Sequence, residues 1–158
     1  MKLLLLLASL TAFSAVAETV SVSTYAPDTP AHEAQIPTDI DLPEGWSTMV
    51  HNDNLYIIGG GRVYGSLTFS YSKLSIANWS RQFGMPDPPK RDVAGVEVRY
   101  QVNDNNSATY GRKIGYTWFL RGSVTPYPDY ANDDLDNLFE EFLTIVASAK
   151  PQLPEIAD

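Results

Sequence analysis

Apolar and polar positions alternate along most of this chain. Thr19-Val20-Ser21-Val22-Ser23-Thr24-Tyr25 has the two-residue period of a half-buried strand. Ala26–Gln35, with Pro27 and Pro30, predicts a connector. Ile36–Met49 reads as extended, with Ile36, Ile40 and Leu42 apolar and Pro43-Glu44-Gly45 a turn ahead of Trp46. A second turn at His51–Asn54 leads into a short strand, Leu55–Ile58, broken by Gly59-Gly60-Gly61. In Val63–Tyr71, Val63, Gly65, Leu67, Phe69 and Tyr71 share one side, and Tyr64, Ser66, Thr68 and Ser70 the other. Val93–Val102 and Ala108–Leu120 predict a long hairpin around the Asn103–Asn106 turn, followed by a proline-containing loop over Arg121–Ala131.

Two stretches change to helical period. Ser75 caps a short helix through Phe83, with Ile76, Trp79 and Phe83 as its apolar stripe and Gly84 just past its end. The second helix is capped by Asn132. Leu135, Leu138, Phe139, Phe142, Ile145, Val146 and Ala149 recur at spacings of three and four, Lys150 sits at the negative end and Pro151 stops the helix. These elements predict an α+β fold: an antiparallel sheet with a long hairpin, packed by a C-terminal amphipathic helix and a shorter helix. Residues 18–150 form a single domain, and residues 151–158 a loose C-terminal tail.

The first residues follow a different pattern. Lys2 precedes an apolar run from Leu3 to Phe13, and Ala15-Val16-Ala17 is a small-x-small cleavage site. The run is too short for a bilayer core, which needs about 20 residues. Residues 1–17 therefore read as a signal peptide, and no later stretch is apolar enough for a membrane anchor. The chain has no Cys, so neither a disulfide nor lipid attachment at a Cys is available. That favours a bacterial envelope protein, periplasmic or secreted, whose core suffices alone.

Charge narrows the partner. Glu18–Gly61 holds seven acids and no Lys or Arg, Arg62–Arg121 nine bases and four acids, and Gly122–Asp158 eight acids and one base. Nucleic acid is a poor partner for this acidic chain, and a basic protein a better one. The candidate partner-binding residues are Asp39, Asp41, Glu44 and Asp53 in the first acidic arm, and Tyr127, Asp129 and Tyr130 in the second, where prolines stiffen a loop carrying two aromatic anchors.

Catalytic motifs are missing. His32 and His51 stand outside any metal-binding spacing, there is no G-x-S-x-G elbow, and Gly59-Gly60-Gly61-Arg62 lacks the Lys-Ser/Thr of a phosphate loop. Asp39-Ile40-Asp41, Asn52-Asp53-Asn54 and Asn103-Asp104-Asn105 offer oxygen ligands for calcium but are ordinary turn formers without the closing Glu of an EF-hand. No catalytic residue, metal or cofactor is expected.

Ile40-Asp41-Leu42-Pro43-Glu44-Gly45-Trp46 resembles the opening of the PsbP/Mog1-like superfamily, an apolar strand with Leu-Pro and Gly-Trp. Phe142-Leu143-Thr144-Ile145-Val146-Ala147-Ser148 resembles its closing Phe-x-x-Ile-x-x-Ser pattern. The resemblance covers about Ile36–Lys150; the glycine run and Pro126-Tyr127-Pro128 depart from it. It implies an antiparallel sheet sandwiched by helices and a non-catalytic accessory or binding protein. Periplasmic immunity proteins are small exported domains of the same general kind. The leading expectation is an exported protein-binding module, an immunity or inhibitor protein that caps a basic partner. The alternatives are a small envelope hydrolase using carboxylates and an accessory subunit of an envelope complex.

If the leader is cleaved as read, mass spectrometry of the mature protein finds its N-terminus at Glu18, within a residue or two. An intact Met1 in the envelope fraction would rule that out.

Overall fold

The structure, a computed structural model, describes residues 15–25, 35–52, 54–71, 79, 83–85, 87–115 and 117–153. Among the described residues ten strands follow one another: β1 (Val16–Tyr25), β2 (Gln35–Leu42), β3 (Trp46–His51), β4 (Asn54–Gly59), β5 (Val63–Tyr71), β6 (Lys90–Val93), β7 (Val96–Val102), β8 (Ala108–Ile114), β9 (Trp118–Pro126) and β10 (Lys150–Pro151). A 3-10 turn (Pro128–Tyr130) and one α-helix, α1 (Asp136–Ser148), lie between β9 and β10.

The strands form one curled sheet in the order β10-β2-β1-β5-β9-β8-β7-β6, with β4 and then β3 branching from β5. The expected α+β fold is corrected here: the molecule is mostly strand, and its sheet is mixed. β1 runs parallel to β5, at Thr24–Phe69 and Tyr25–Ser70, while the other strand pairs are antiparallel. The shorter helix expected over 75–83 falls largely outside the described residues. Within that stretch the described Trp79 packs against Phe119 of β9 (4.9 Å between ring centroids), and Trp79 and Phe83 lie over Gly111 of β8.

Three boundaries also moved. The expected single strand Ala108–Leu120 is two, β8 and β9, divided by a turn at Gly115 (φ 63°). The expected loop from Arg121 is the second half of β9, which pairs with β5 from Tyr71–Trp118 to Val63–Pro126. α1 begins at Asp136, with Leu135 at its cap and no side-chain cap bond. Leu135 is buried, so packing outweighs the Asn132 cap signal.

Alternation sorts each strand between two faces. Val63, Leu67 and Phe69 of β5, Leu120 and Val124 of β9, Ala108 and Tyr110 of β8, and Val98 of β7 point into the curl. There they meet Phe139, Phe142, Leu143, Ile145 and Val146 of α1. The helix approaches closely because two strand positions have no side chain. A Cβ placed on Gly65 would collide with the edge of the Phe142 ring, and one on Gly122 would lie 2.8 Å from Val146 and 3.0 Å from Phe142. Phe142 also meets Tyr110 at 5.4 Å and Trp46 at 5.8 Å between ring centroids.

Polar contacts fix the helix along its length. The Tyr110 hydroxyl donates to the Phe139 carbonyl (2.9 Å). Consecutive glutamates reach opposite flanks of the curl: Glu140 pairs with Arg91 of β6 (3.1 Å), and Glu141 accepts from the Trp46 indole of β3 (2.6 Å). At the C-terminus the cation expected from Lys150 comes instead from β8. Arg112 donates to the carbonyls of Val146 (3.3 Å), Ala147 (2.8 Å) and Ala149 (2.7 Å), where orphan carbonyls and the negative dipole end favour a guanidinium. Burial draws Arg112 below its ordinary pKa, but arginine remains charged. Ser148 accepts from the Asp41 amide (2.9 Å), and the chain beyond the helix pairs with β2 as β10.

Phe142→Ala should cost about 3–5 kcal/mol in urea unfolding. Gly65→Ala should lower the melting temperature in the wild type and far less in the Phe142→Ala background, since the two sites share one volume. Equal shifts in both backgrounds would show that ring and glycine do not touch.

Burial, with a smaller contribution from the Glu140 charge, holds the Tyr110 hydroxyl well above its ordinary pKa of 10.0. The unfolded chain therefore loses this proton first. Stability from this group is intact below about pH 10 and falls above it by ~1.4 kcal/mol per pH unit. Tyr110→Phe should be less stable at pH 7 and have a flatter alkaline slope, measured by denaturant unfolding between pH 8 and about pH 11.

Candidate recognition surface

The outer face of the sheet, turned away from α1, carries the polar half of the alternation. Tyr64, Ser66 and Thr68 of β5 lie beside Thr125, Ser123 and Arg121 of β9, with Thr109 of β8 beyond Ser123. Three tyrosines form a file along one side. Tyr56 of β4 is 6.5 Å from Tyr64 between ring centroids, and Tyr64 is 5.2 Å from Tyr127. Tyr127 sits at the entrance to the 3-10 turn, where its amide donates to the Arg62 carbonyl (2.9 Å) and its carbonyl accepts from the Tyr130 amide (2.9 Å).

Arg62 organises this end of the molecule. It donates to the Asp133 carboxylate (2.8 Å) and the Asp134 carbonyl (3.2 Å), and its guanidinium stands 6.0 Å from the centre of the Tyr130 ring. Tyr130 is nevertheless exposed, and Asp129, Asp134 and Asp136 beside it are exposed carboxylates. The structure thus brings together three of the predicted residues, Tyr127, Asp129 and Tyr130. Glu44 is exposed in the β2–β3 turn, which meets the glycine turn through the Gly60 amide and Gly45 carbonyl (3.1 Å).

Asp39 and Asp41 do not join this group. They project from β2, where Asp39 accepts from Thr19 (2.6 Å) and the Asp41 amide reaches the end of α1. The helix separates them from the 3-10 turn by 13 residues, roughly 20 Å. Asp53 lies outside the described residues.

The basic middle of the chain is only partly matched by the acidic ends. Arg62–Asp133 and Arg91–Glu140 cross between them, whereas Lys90 and Arg99 pair with Glu97, and Arg99 with Asp87, inside the basic segment. Burial lowers the Arg99 pKa, and its bonds to Asp87 and Glu97 outweigh that to raise it. Arg99 and Lys113 also flank Trp79, at 5.4 and 5.8 Å from its ring centre. Lys113 and Arg121 are exposed.

Among the described residues no three His, Asp or Glu side chains converge on a point that could hold a metal. The Asn103–Asn106 turn spends its side chains internally: Asn103 donates to Ser107, Asn105 accepts twice from Ser107, and Asn106 donates to the Ala131 carbonyl. His51 is exposed at the end of β3; His32 lies outside the described residues.

Sequence reasoning named Tyr127 as an anchor and placed Tyr64 on the polar side of its strand, but missed Tyr56 and Arg62. Tyr56 carries a readable signal, since it alternates with the buried Leu55 and Ile57. Arg62 carries none, because its partners lie some 70 residues away. No family model, no curated protein and no solved structure matches the chain. No helix among the described residues is long and apolar enough to cross a membrane.

Proposed function

We propose that this chain is an exported protein-binding module, an immunity or inhibitor protein that caps a basic protein partner. The observation that carries the reading is the juxtaposition of Tyr127 and Tyr130 with the exposed carboxylates of Asp129, Asp134 and Asp136. Aromatic anchors held on a stiff turn lose little conformational freedom on binding, and adjacent carboxylates steer a cationic partner. Arg62 supports the turn from below through Asp133 and Tyr130. Asp39, Asp41 and Glu44 add to the field rather than to the contact.

Export to the periplasm or medium, with residues 1–17 removed, fits the start of the sheet. Cleavage after Ala17 takes only Val16 and Ala17 from β1 and leaves Glu18, which accepts from Thr48 (2.6 Å).

With a basic protein partner in hand, raising salt should slow association markedly and change dissociation less. Tyr127→Ala should do the reverse, as measured by surface plasmon resonance. Association indifferent to salt, or a Tyr127→Ala/Tyr130→Ala variant that binds like wild type, moves the interface elsewhere.

A further inference from the structure

β5 has two neighbours on one edge and none between them. β4 pairs with it as far as Gly65, and β1 takes over at Phe69. Among the described residues, Ser66, Leu67 and Thr68 therefore have no strand partner on that edge. The sheet forks there, and a depression of about 300 Å³ opens at the fork. That volume is at the lower end of small-molecule sites, about 300–1,000 Å³.

We infer that this depression binds a neutral polyhydroxyl ligand, one or two units of an uncharged saccharide. The lining decides the ligand class. Tyr56 and Tyr64 supply rings, Ser66, Thr68, Ser123 and Thr125 supply hydroxyls, and Asn54 supplies an amide; no Asp, Glu, Lys, Arg or His lines it. An anion or a cation would find no countercharge among these residues, and burying a charge without one is costly. A hydrocarbon would strip water from hydroxyls without replacing their hydrogen bonds.

The polar atoms are also available. Ser66 and Ser123 share one hydrogen bond of 2.9 Å, in which either can be the donor. One of their two hydroxyl protons is therefore left to donate outward. The Asn54 amide nitrogen donates to the Asn52 carbonyl (2.9 Å), which leaves its oxygen to accept. The two hydroxyls of Thr68 and Thr125 can each donate and accept. A sugar presents that same mixture of donors and acceptors around its rim and C–H groups on its faces, which suit the Tyr56 and Tyr64 rings. Arg121 stands across from Thr68 but outside the lining, so a charged sugar is the competing ligand. The site shares Tyr56 and Tyr64 with the tyrosine file, whereas the turn from Tyr127 to Tyr130 that carries the proposed protein contact lies outside the lining, so the two readings can fail separately.

The test uses the mature chain, isotopically labelled, titrated with cellobiose, maltose and N,N′-diacetylchitobiose, and with glucuronate as the charged control. At least one neutral sugar should shift the amide signals of Ser66, Thr68, Ser123 and Thr125 at millimolar concentration. Thr125→Val should weaken that binding about tenfold, as expected for loss of one or two hydrogen bonds. Lys150→Ala, at an exposed position of β10 outside the lining, should leave it unchanged. Signal mapping on the wild type locates the site even if a variant fails to fold. The inference is overturned if no neutral sugar binds, if only glucuronate binds, or if the shifted signals lie elsewhere.

Discussion

The ring of Phe142 rests on two strand positions that have no side chain, Gly65 and Gly122, and the remainder of the packing follows from that approach. Side chains normally fill the space between packed layers, as they hold stacked sheets about 10 Å apart. Here the missing Cβ atoms bring α1 down into the curl, within reach of the Tyr110 hydroxyl below it and the Trp46 ring beside it. At that depth two consecutive glutamates span to both flanks, one to β3 and one to β6. Arg112 rises from β8 to occupy the carbonyl end. None of these contacts is strong alone. Together they hold the two branches of the sheet around one helix.

Most strands were legible because one face is buried and the other is not. Val63–Tyr71 and the break at Gly59–Gly61 stand where alternation and glycine place them. The division of β8 from β9 was hidden by parity: Ala108, Tyr110 and Arg112 point inward, and after the turn so do Trp118 and Leu120, as if one strand had continued. The parallel β1–β5 pair and the seat for Phe142 depend on residues far apart in the chain, and no local pattern encodes them. The helix start moved for a related reason. The side chain that fills the core, Leu135, prevailed over the side chain that would have capped the end. At the recognition surface the tyrosines were visible as residue types. Their arrangement in a file was not, because β4, β5 and the 3-10 turn meet only through the sheet.

The two faces of the sheet divide the work. The inner face is committed to the core, and even its cation Arg112 is spent on helix carbonyls. The outer face keeps hydroxyls, tyrosines and the exposed bases Lys113 and Arg121, while exposed carboxylates gather around the ends of the helix. A partner approaching the helix start meets negative charge, and one approaching the outer face of β8 and β9 meets positive charge. Such a molecule has a definite electrical orientation, and charged neighbours will turn it before they touch it.

The position of α1 in the chain also fixes the order in which the protein can fold. An isolated helix of 13 residues is marginal in water, and its partners Asp41 and Trp46 precede their contacts on it by 107 and 95 residues. Until the last fifth of the chain has been made, the inner faces of β5, β8 and β9 have nothing to close against. The nascent protein must therefore stay open, a substrate for chaperones and a pliable thread, and it becomes a rigid body only when its final helix arrives.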